Sequence, residues 1–263
     1  MSIKPKKSLG QNFLINEQII NKITDLVKIK NKNILEIGPG TGNLTAKILE
    51  KQPKLFIAIE KDNELANNLK EKFKDNLTVI NDDVLKINEN KIHDQKLIVF
   101  GNLPYNISTE ILCKWILNIN SDIFWFDNLI LMFQKEVADR IIALPNSKNY
   151  SRLTIISNWK LNIKKVCDIK SNNFFPTPKI DSTVLFFEPK KNITKIKDPK
   201  NLEHLTRVFF SHRRKMIKKP FNMIFNGKID IAEKLGIDLN LRPQNLDFET
   251  YYNLVLEYER LRS

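Results

Sequence analysis

A glycine-rich segment between a strand-like run and a helical pattern constrains the fold of this chain most strongly. The run Asn33-Ile34-Leu35-Glu36-Ile37 predicts a short buried strand, Gly38-Pro39-Gly40-Thr41-Gly42 follows it directly, and residues 44–49 have the apolar spacing of a helix. Because glycine lacks a Cβ atom, Gly38 and Gly40 allow the backbone of such a loop to approach a ligand closely. The segment therefore predicts a nucleotide-type turn at the end of a strand.

The spacing within this loop narrows the choice of ligand. It is G-x-G-x-G rather than the G-x-G-x-x-G of dinucleotide enzymes, and Pro39 removes an N–H group that a pyrophosphate would use. A ligand with an adenosine but no phosphate fits better, and S-adenosylmethionine is the obvious one. Glu60, at the end of the next strand-like run, can accept both ribose hydroxyls, and Asp83, after the third run, can hold the adenine amine.

Strand-like and helical patterns alternate from about residue 33 to residue 160, which is the signature of a parallel α/β sheet. Further strands are predicted at 55–59, 77–80, 97–100 and 129–133, and helices at 108–117, 135–143 and 150–159. Residues 165–169 and 182–187 are strand-like without a helix between them, which indicates an antiparallel hairpin. We predict an α/β domain over residues 1–190, a polar linker at 188–200, and a small all-α domain over 191–263.

The segment Asn102-Leu103-Pro104-Tyr105 follows an apolar run and a glycine, so it should lie at the carboxyl end of a buried strand. The Asn102 side-chain carbonyl and the Leu103 main-chain carbonyl can accept both N–H groups of a planar amine, while Tyr105 lies flat against the ring. This arrangement suits alkylation of an exocyclic NH2 group. The competing interpretation is a strand-terminating turn, because Asn and Pro are common turn residues.

A second aromatic feature lies in the predicted loop at residues 171–181. Phe174 and Phe175 precede Pro176 and Pro178. This composition is more apolar than that of an ordinary connecting loop. Such a pair can stack on a base flipped out of its helix. The alternative is that a phenylalanine in this loop fills the core.

The charge of the chain favours a polyanionic partner. It has 263 residues, with 43 Lys and Arg against 30 Asp and Glu, for a net charge of +13. The chain is also rich in Lys, Asn and Ile and has only 7 Gly, as expected of a protein from an A+T-rich genome. Codon bias is therefore the competing explanation for part of the positive charge.

Basic residues concentrate beyond the linker. Leu205, Phe209 and Met216 are predicted to share one helical face, and Arg207, Arg214 and Lys218 another. The predicted RNA-binding residues are the three basic residues of this second face together with two adjacent basic residues. They are Arg207, Arg213, Arg214, Lys215 and Lys218. A solvated helix face is the alternative to phosphate binding.

Several other classes are disfavoured by the composition. Cys113 and Cys167 are isolated in apolar contexts, which predicts buried thiols in a reducing compartment. The three histidines are scattered, so we expect no metal. No apolar core follows the basic N-terminal residues, and no run approaches the ~18 apolar residues of a membrane span. We expect a cytoplasmic protein without a membrane partner.

Together these motifs resemble the small-subunit ribosomal RNA adenine-N6,N6-dimethyltransferase family over the whole chain. The similar segments are residues 7–14, 36–42, 102–105, 145–153, the F-x-P-x-P-K-x-D-S stretch from Phe174 to Ser182, and the F-x-x-R-R-K element at 210–215. The resemblance implies a class I, Rossmann-like methyltransferase sheet. It also implies donor contacts at Gln11, Asn12, Leu14, Gly38, Gly40, Glu60, Asp83 and Asn102, and catalytic roles for Asn102, Leu103, Pro104, Tyr105 and Phe174.

The same resemblance implies a reaction and a partner. Two methyl groups would pass from S-adenosylmethionine to each of two adjacent adenosines in the 3′-terminal hairpin loop of small-subunit (16S) rRNA, within the immature 30S subunit. We expect a monomer. Three alternatives stay open: a large-subunit enzyme of the macrolide-resistance type, a methyltransferase for DNA or a glutamine amide, and a ribosome-assembly factor with dispensable catalysis.

Overall fold

The computed structural model describes residues 5–6, 9–119 and 123–262. In chain order its strands are β1 Phe13–Leu14, β2 Asn33–Ile37, β3 Leu55–Ile59, β4 Thr78–Ile80, β5 Leu97–Asn102, β6 Phe126–Gln134, β7 Leu161–Ile169, β8 Phe174–Phe175 and β9 Ser182–Pro189. Its helices are α1 Glu17–Thr24, α2 Asn43–Glu50, α3 Asn63–Phe73, α4 Ser108–Leu117, α5 Lys135–Ile141, α6 Arg152–Lys160, α7 Pro199–Ser211, α8 Lys218–Phe225, α9 Asp230–Lys234 and α10 Phe248–Arg260. Within the described ranges, no helix is long and apolar enough to cross a membrane.

Seven strands form one sheet in the order β4-β3-β2-β5-β6-β9-β7. The strands from β4 to β6 are parallel to their neighbours, and β9 is antiparallel to β6. Strand β2 is buried at all its positions and β5 at nearly all, as expected of a parallel sheet covered on both faces. The predicted mostly parallel α/β sheet with an antiparallel component near its C-terminal end is confirmed.

The order of the strands creates a crevice. From β2 the chain moves outward through β3 to β4, and it then returns to place β5 on the other side of β2. The strand order reverses between β2 and β5, and ligands of open α/β sheets bind at the carboxyl ends of such strands. Ile37, Ile59, Ile80 and Asn102 end their strands at this edge.

The chain divides into two compact units. The first contains the described residues up to Trp115, Ile119–Ala138 and Ile163–Pro189, and the second contains Ile116–Asn118, Asp139–Asn162 and the described residues from Lys190 onward. The second unit thus includes α6 as well as the C-terminal helices. The division into domains at residues 190 and 191 stays a prediction.

The helical face predicted to continue to Met216 is wrong. Helix α7 ends at Ser211, and α8 begins only at Lys218. Residues 211–217 contain neither Gly nor Pro, but the buried Ile217 donates its N–H group to the Leu241 carbonyl at 2.8 Å, which draws the chain away from the helix axis. Arg213 and its two basic neighbours therefore lie in a turn, which we call the basic turn (residues 212–217).

The two cysteines differ slightly from expectation. Neither Cys113 nor Cys167 is in a disulfide, and each side chain is half-buried rather than fully buried as predicted. Partial burial raises the pKa of the Cys167 thiol.

Candidate active site

A cavity opens in the first unit at the carboxyl ends of β2, β3 and β5. Its empty space is about 1260 Å³, including its mouth. Three segments supply most of its wall: residues 9–14, the glycine loop at 38–41, and residues 101–107 after β5. The structure therefore brings together the segments that the sequence analysis assigned to the donor and to the amine.

The glycine loop has the conformation that its residues predict. Gly38 and Gly40 have φ angles of 65° and 60°, in the left-handed region that glycine adopts without strain. A Cβ atom on Gly40 would also lie 2.6 Å from the ring of Phe13, so this ring covers the loop only because position 40 is glycine. The loop is thus fixed by both its dihedral angles and its packing.

Glu60 lies beneath this loop with both carboxylate oxygens oriented. Oε2 accepts the N–H group of Gly40 at 3.1 Å, and Oε1 accepts that of Asp62 at 2.9 Å. Burial raises the pKa of Glu60, although both N–H groups favour its charged form. Each carboxylate oxygen has a further acceptor position, so Glu60 can still accept two hydroxyl groups.

A hydrogen-bond network that the sequence analysis missed ties the N-terminal segment to this position. Asp62 accepts from Lys6 Nζ at 2.8 Å and from Gln11 Nε2 at 2.9 Å, while the Lys6 N–H group donates to Gln11 Oε1 at 2.7 Å. Burial alone would raise the pKa of Asp62, but the bonds from Lys6 and Gln11 hold it below its usual range. Only the position of Asp62 two residues after Glu60, before a helical pattern, is visible in the sequence.

Asn102 is oriented by the same N-terminal segment. Its Nδ2 atom donates to the main-chain carbonyl of Asn12 at 2.7 Å, which assigns the amide so that Oδ1 is its acceptor. Asn12 in turn donates its own side-chain amide to the Gly10 carbonyl at 3.1 Å. Leu103 and Pro104 line the cavity beside Asn102.

Tyr105 and Ser182 form a short hydrogen bond, with 2.6 Å between their hydroxyl oxygens. Burial raises the pKa of the Tyr105 phenol, although the Ser182 hydroxyl partly opposes this effect. The bond anchors the tyrosine ring in the cavity wall as a neutral group.

Phe174 does not line the cavity wall in this structure. It is 2% exposed, pairs with Leu14 across β1 and β8, and belongs to the main hydrophobic cluster, whereas Phe175 is 56% exposed. Leu14 is also buried and reaches the cavity. Stacking by Phe174 on a base stays a prediction.

Two further carboxylates reach the cavity. Asp83 accepts from Lys61 Nζ at 2.7 Å and from the Leu85 N–H group at 3.0 Å, and the Lys61 bond lowers its pKa. Glu36, to which the sequence analysis gave no role, accepts from the Thr45 hydroxyl at 2.7 Å. Burial, with a contribution from the charge of Glu60, raises the pKa of Glu36 to about 8 against the effect of Thr45. The sequence contained one sign of a role for Glu36, namely a charged residue inside the apolar run before the glycine loop.

The predicted RNA-binding residues lie in the second unit. Arg207, Arg214, Lys215 and Lys218 are exposed, and Arg213 is half-buried. The Arg213 guanidinium donates to the main-chain carbonyl of Lys148. A shallow concavity includes Arg213, Arg214 and Lys215 but not Arg207 or Lys218, and it is lined by Lys148, residues 210–215 and Gln244.

Comparisons with known proteins give consistent results. The family model described as "Ribosomal RNA adenine dimethylase" matches residues 3–260. The chain is 63% identical to a ribosomal RNA small subunit methyltransferase A of Pelagibacter ubique, with 100% of both chains covered. It is 41% identical to a protein of the same name from a Wolbachia strain of Drosophila simulans, over 98% of this chain and 95% of the relative.

Solved structures show the same similarity. A dimethyladenosine transferase from Plasmodium falciparum has a TM-score of 0.80 at 30% identity, covering 94% of this chain and 98% of that one. A 23S rRNA methyltransferase has a TM-score of 0.67 at 21% identity, over 95% and 100% of the two chains, and this likeness concerns the fold alone. The sheet is that of a Rossmann-like methyltransferase, as the sequence analysis predicted.

Proposed function

This chain belongs to the ribosomal RNA adenine dimethylase family, and we propose that it dimethylates N6 of two adjacent adenosines in the 3′-terminal hairpin loop of small-subunit (16S) rRNA. The methyl donor is S-adenosylmethionine. The observation that carries the proposal is the orientation of Asn102, whose Nδ2 atom is held by the Asn12 carbonyl so that Oδ1 is left to accept. A planar aromatic amine is the group that such an acceptor, beside a main-chain carbonyl at Leu103, would recognise.

The cavity residues fit the donor. The two remaining acceptor positions of Glu60 suit the ribose hydroxyls, Asp83 suits the adenine amine, and Gly38 and Gly40 let the loop approach closely. Pro39 lacks the N–H group that a phosphate would seek, so the loop favours this donor over a dinucleotide. When bound, S-adenosylmethionine supplies an electrophilic methyl group on a sulfonium sulfur.

The amine needs activation, because the lone pair of adenine N6 is delocalised into the ring. By accepting both N6–H groups, Asn102 Oδ1 and the Leu103 carbonyl would favour a pyramidal nitrogen with a localised lone pair. During transfer of the methyl group to N6, these oxygens would stabilise the positive charge that develops on N6, and the N6 proton would then pass to solvent water. A strong base is not required, because this proton becomes acidic only as the new bond forms, so positioning supplies most of the effect.

The target base needs walls as well as acceptors. Tyr105, anchored through Ser182, would cover one face of the adenine. Phe174 would cover the other, which requires its ring to leave the hydrophobic cluster in which it now packs. A flipped base bound between aromatic rings is the usual arrangement for enzymes that modify bases.

We assign rRNA docking to Arg207, Arg213, Arg214, Lys215 and Lys218 in the second unit, acting on an immature 30S subunit as a monomer. Exposed cations contact phosphates, which position the protein without reading sequence. Both relatives reported above at 63% and 41% identity are named as small-subunit enzymes, which favours this target over large-subunit rRNA.

The test is methyl transfer by the purified full chain from labelled S-adenosylmethionine. Small subunits that lack the modification, large subunits that lack theirs, duplex DNA and a glutamine-containing protein are compared as acceptors. We expect transfer to small subunits alone, with two methyl groups mapped by mass spectrometry to each of two adjacent adenosines. Transfer confined to another acceptor would refute the substrate. Tight subunit binding without any transfer would favour an assembly factor with dispensable catalysis.

A further inference from the structure

Phe175 is the exposed member of an aromatic pair whose other member is buried. Its side chain is 56% exposed, whereas that of Phe174 is 2% exposed. A single exposed apolar side chain is common on protein surfaces, so the significance of Phe175 depends on what lies beside it. The function proposed above uses Phe174 and leaves Phe175 without a role.

The register of β1 and β8 places Phe175 directly opposite a residue of the cavity wall. Phe13 is paired with Phe175 and Leu14 with Phe174, and directly opposed residues of an antiparallel pair lie on the same face. Phe13 lines the cavity and packs over Gly40. Phe175 therefore lies on the same face of this strand pair as Phe13, one strand further from the glycine loop and exposed to solvent.

The proposed substrate has a base for this position. When one of two adjacent adenosines occupies the cavity, its neighbour has lost a stacking partner and lies one nucleotide away, at the mouth. An exposed phenyl ring replaces that lost stack, because any base can stack on an aromatic side chain. The exposed Lys179 lies four residues further along the same segment and suits the phosphate of that nucleotide.

We propose that Phe175 stacks on the adenosine adjacent to the one being methylated and so sets the register in which the two targets enter the cavity. This inference rests on the function proposed above. It makes Phe175 a positioning residue, since it touches the substrate away from the reacting atoms.

The test compares four variants of the full chain on unmethylated small subunits. Phe175→Ala should raise the KM for subunits about tenfold, the size of one lost base stack, while kcat changes less than about twofold. Phe175→Trp should restore the KM, but Phe175→Leu should not, because a leucine keeps apolar area without a planar ring. Ile123→Ala is the matched control, since Ile123 is 72% exposed but precedes the amino end of β6, at the opposite edge of the sheet.

Donor binding, measured by calorimetry, should be equal in all four variants and the wild type. A KM for Phe175→Ala that matches the Ile123→Ala control, or full recovery by Phe175→Leu, would overturn the inference. If the wild-type protein itself transfers no methyl group to small subunits, the proposed function fails instead, and the two failures are thereby distinguished.

Discussion

The donor cavity and the basic turn hold their polar groups in opposite ways. In the cavity, Glu60 accepts two main-chain N–H groups and Asn102 donates to a main-chain carbonyl, so each remaining acceptor has a fixed direction. In the basic turn, the side chains of Arg214 and Lys215 are exposed, and that of Arg213 is held through the main-chain carbonyl of Lys148. The first arrangement suits a reaction that depends on sub-ångström placement, and the second suits affinity for a flexible polyanion.

This difference teaches what each region can contribute. A group fixed by main-chain bonds acts through its direction, so losing it should change the rate of transfer more than the affinity. An exposed cation acts through its charge, so losing it should change affinity and salt dependence more than the rate. Substitutions in each region can separate an effect on the rate of transfer from an effect on affinity.

Asn102→Ala should reduce methyl transfer about 10²–10³-fold, because an acceptor for N6–H is lost from a preorganised site. The melting temperature should stay close to that of the wild type, and donor affinity, measured by calorimetry, should fall much less than the rate, although Asn102 is also an expected donor contact. Transfer rates under single-turnover conditions measure the effect. A rate within about threefold of wild type, the range of a minor hydrogen bond, would make Asn102 a structural residue.

Phe174→Ala separates the stacking role from the core role of this side chain. If the ring covers the target base, the substitution removes a stacking interaction of roughly 1–3 kcal/mol. The rate of methyl transfer at subsaturating subunit concentration should fall accordingly. A core role instead predicts lower stability, since removing a buried phenylalanine costs about 3–5 kcal/mol. Phe174→Leu keeps much of the core volume without a planar ring, so normal melting with slow transfer would identify stacking. Normal transfer by Phe174→Leu would assign Phe174 to the core.

The triple change Arg213→Ala, Arg214→Ala and Lys215→Ala should weaken subunit binding about tenfold and flatten its salt dependence by up to about 2 units of slope. Binding to subunits is measured between low and moderate salt, with donor affinity as the control. The double change Arg214→Ala and Lys215→Ala keeps Arg213 and its bond to Lys148. Its loss of affinity should be smaller than that of the triple variant but still measurable. Unchanged affinity and slope in the triple variant would move rRNA docking to other lysines.

Glu36 predicts a pH dependence of stability in the first unit. Its native pKa of about 8 lies above the ordinary 4.5, so the native state holds a proton that the unfolded state has lost. Its stabilising contribution is present below the ordinary pKa and disappears as the pH rises through about 8. The melting temperature of the donor-free protein should therefore fall as the pH rises from about 5 to about 8, by at least about 3 °C.

Glu36→Gln keeps an acceptor for Thr45 but cannot ionise, so it should flatten most of this decline. Glu60, whose pKa is also raised by burial, accounts for the remainder and has the same sign. A decline as steep in Glu36→Gln as in wild type would show that Glu36 is not the titrating group.

Patterns in the sequence predicted every strand of the seven-stranded sheet in chain order and the tight turn at the glycine loop, but they did not predict β1, α1, α3 or β8. A continuous apolar run marks a buried strand, and apolar residues at helical spacing mark a helix that packs on the sheet. For this reason β2, β3 and α4 have the predicted bounds. The positive φ angles at Gly38 and Gly40 likewise favour glycine, which adopts them without strain. Acidic residues at the ends of these strands could be placed because parallel strands end at one edge.

Tertiary structure decided the contacts between residues distant in sequence. The bond from Asn102 to Asn12 joins positions 90 residues apart, and that from Lys6 to Asp62 joins positions 56 apart. The end of α7 was likewise decided by the contact of Ile217 with Leu241, and the burial of Phe174 rather than Phe175 by the pairing of β8 with β1. No local pattern encodes such contacts, because each depends on where the folded sheet brings a remote segment.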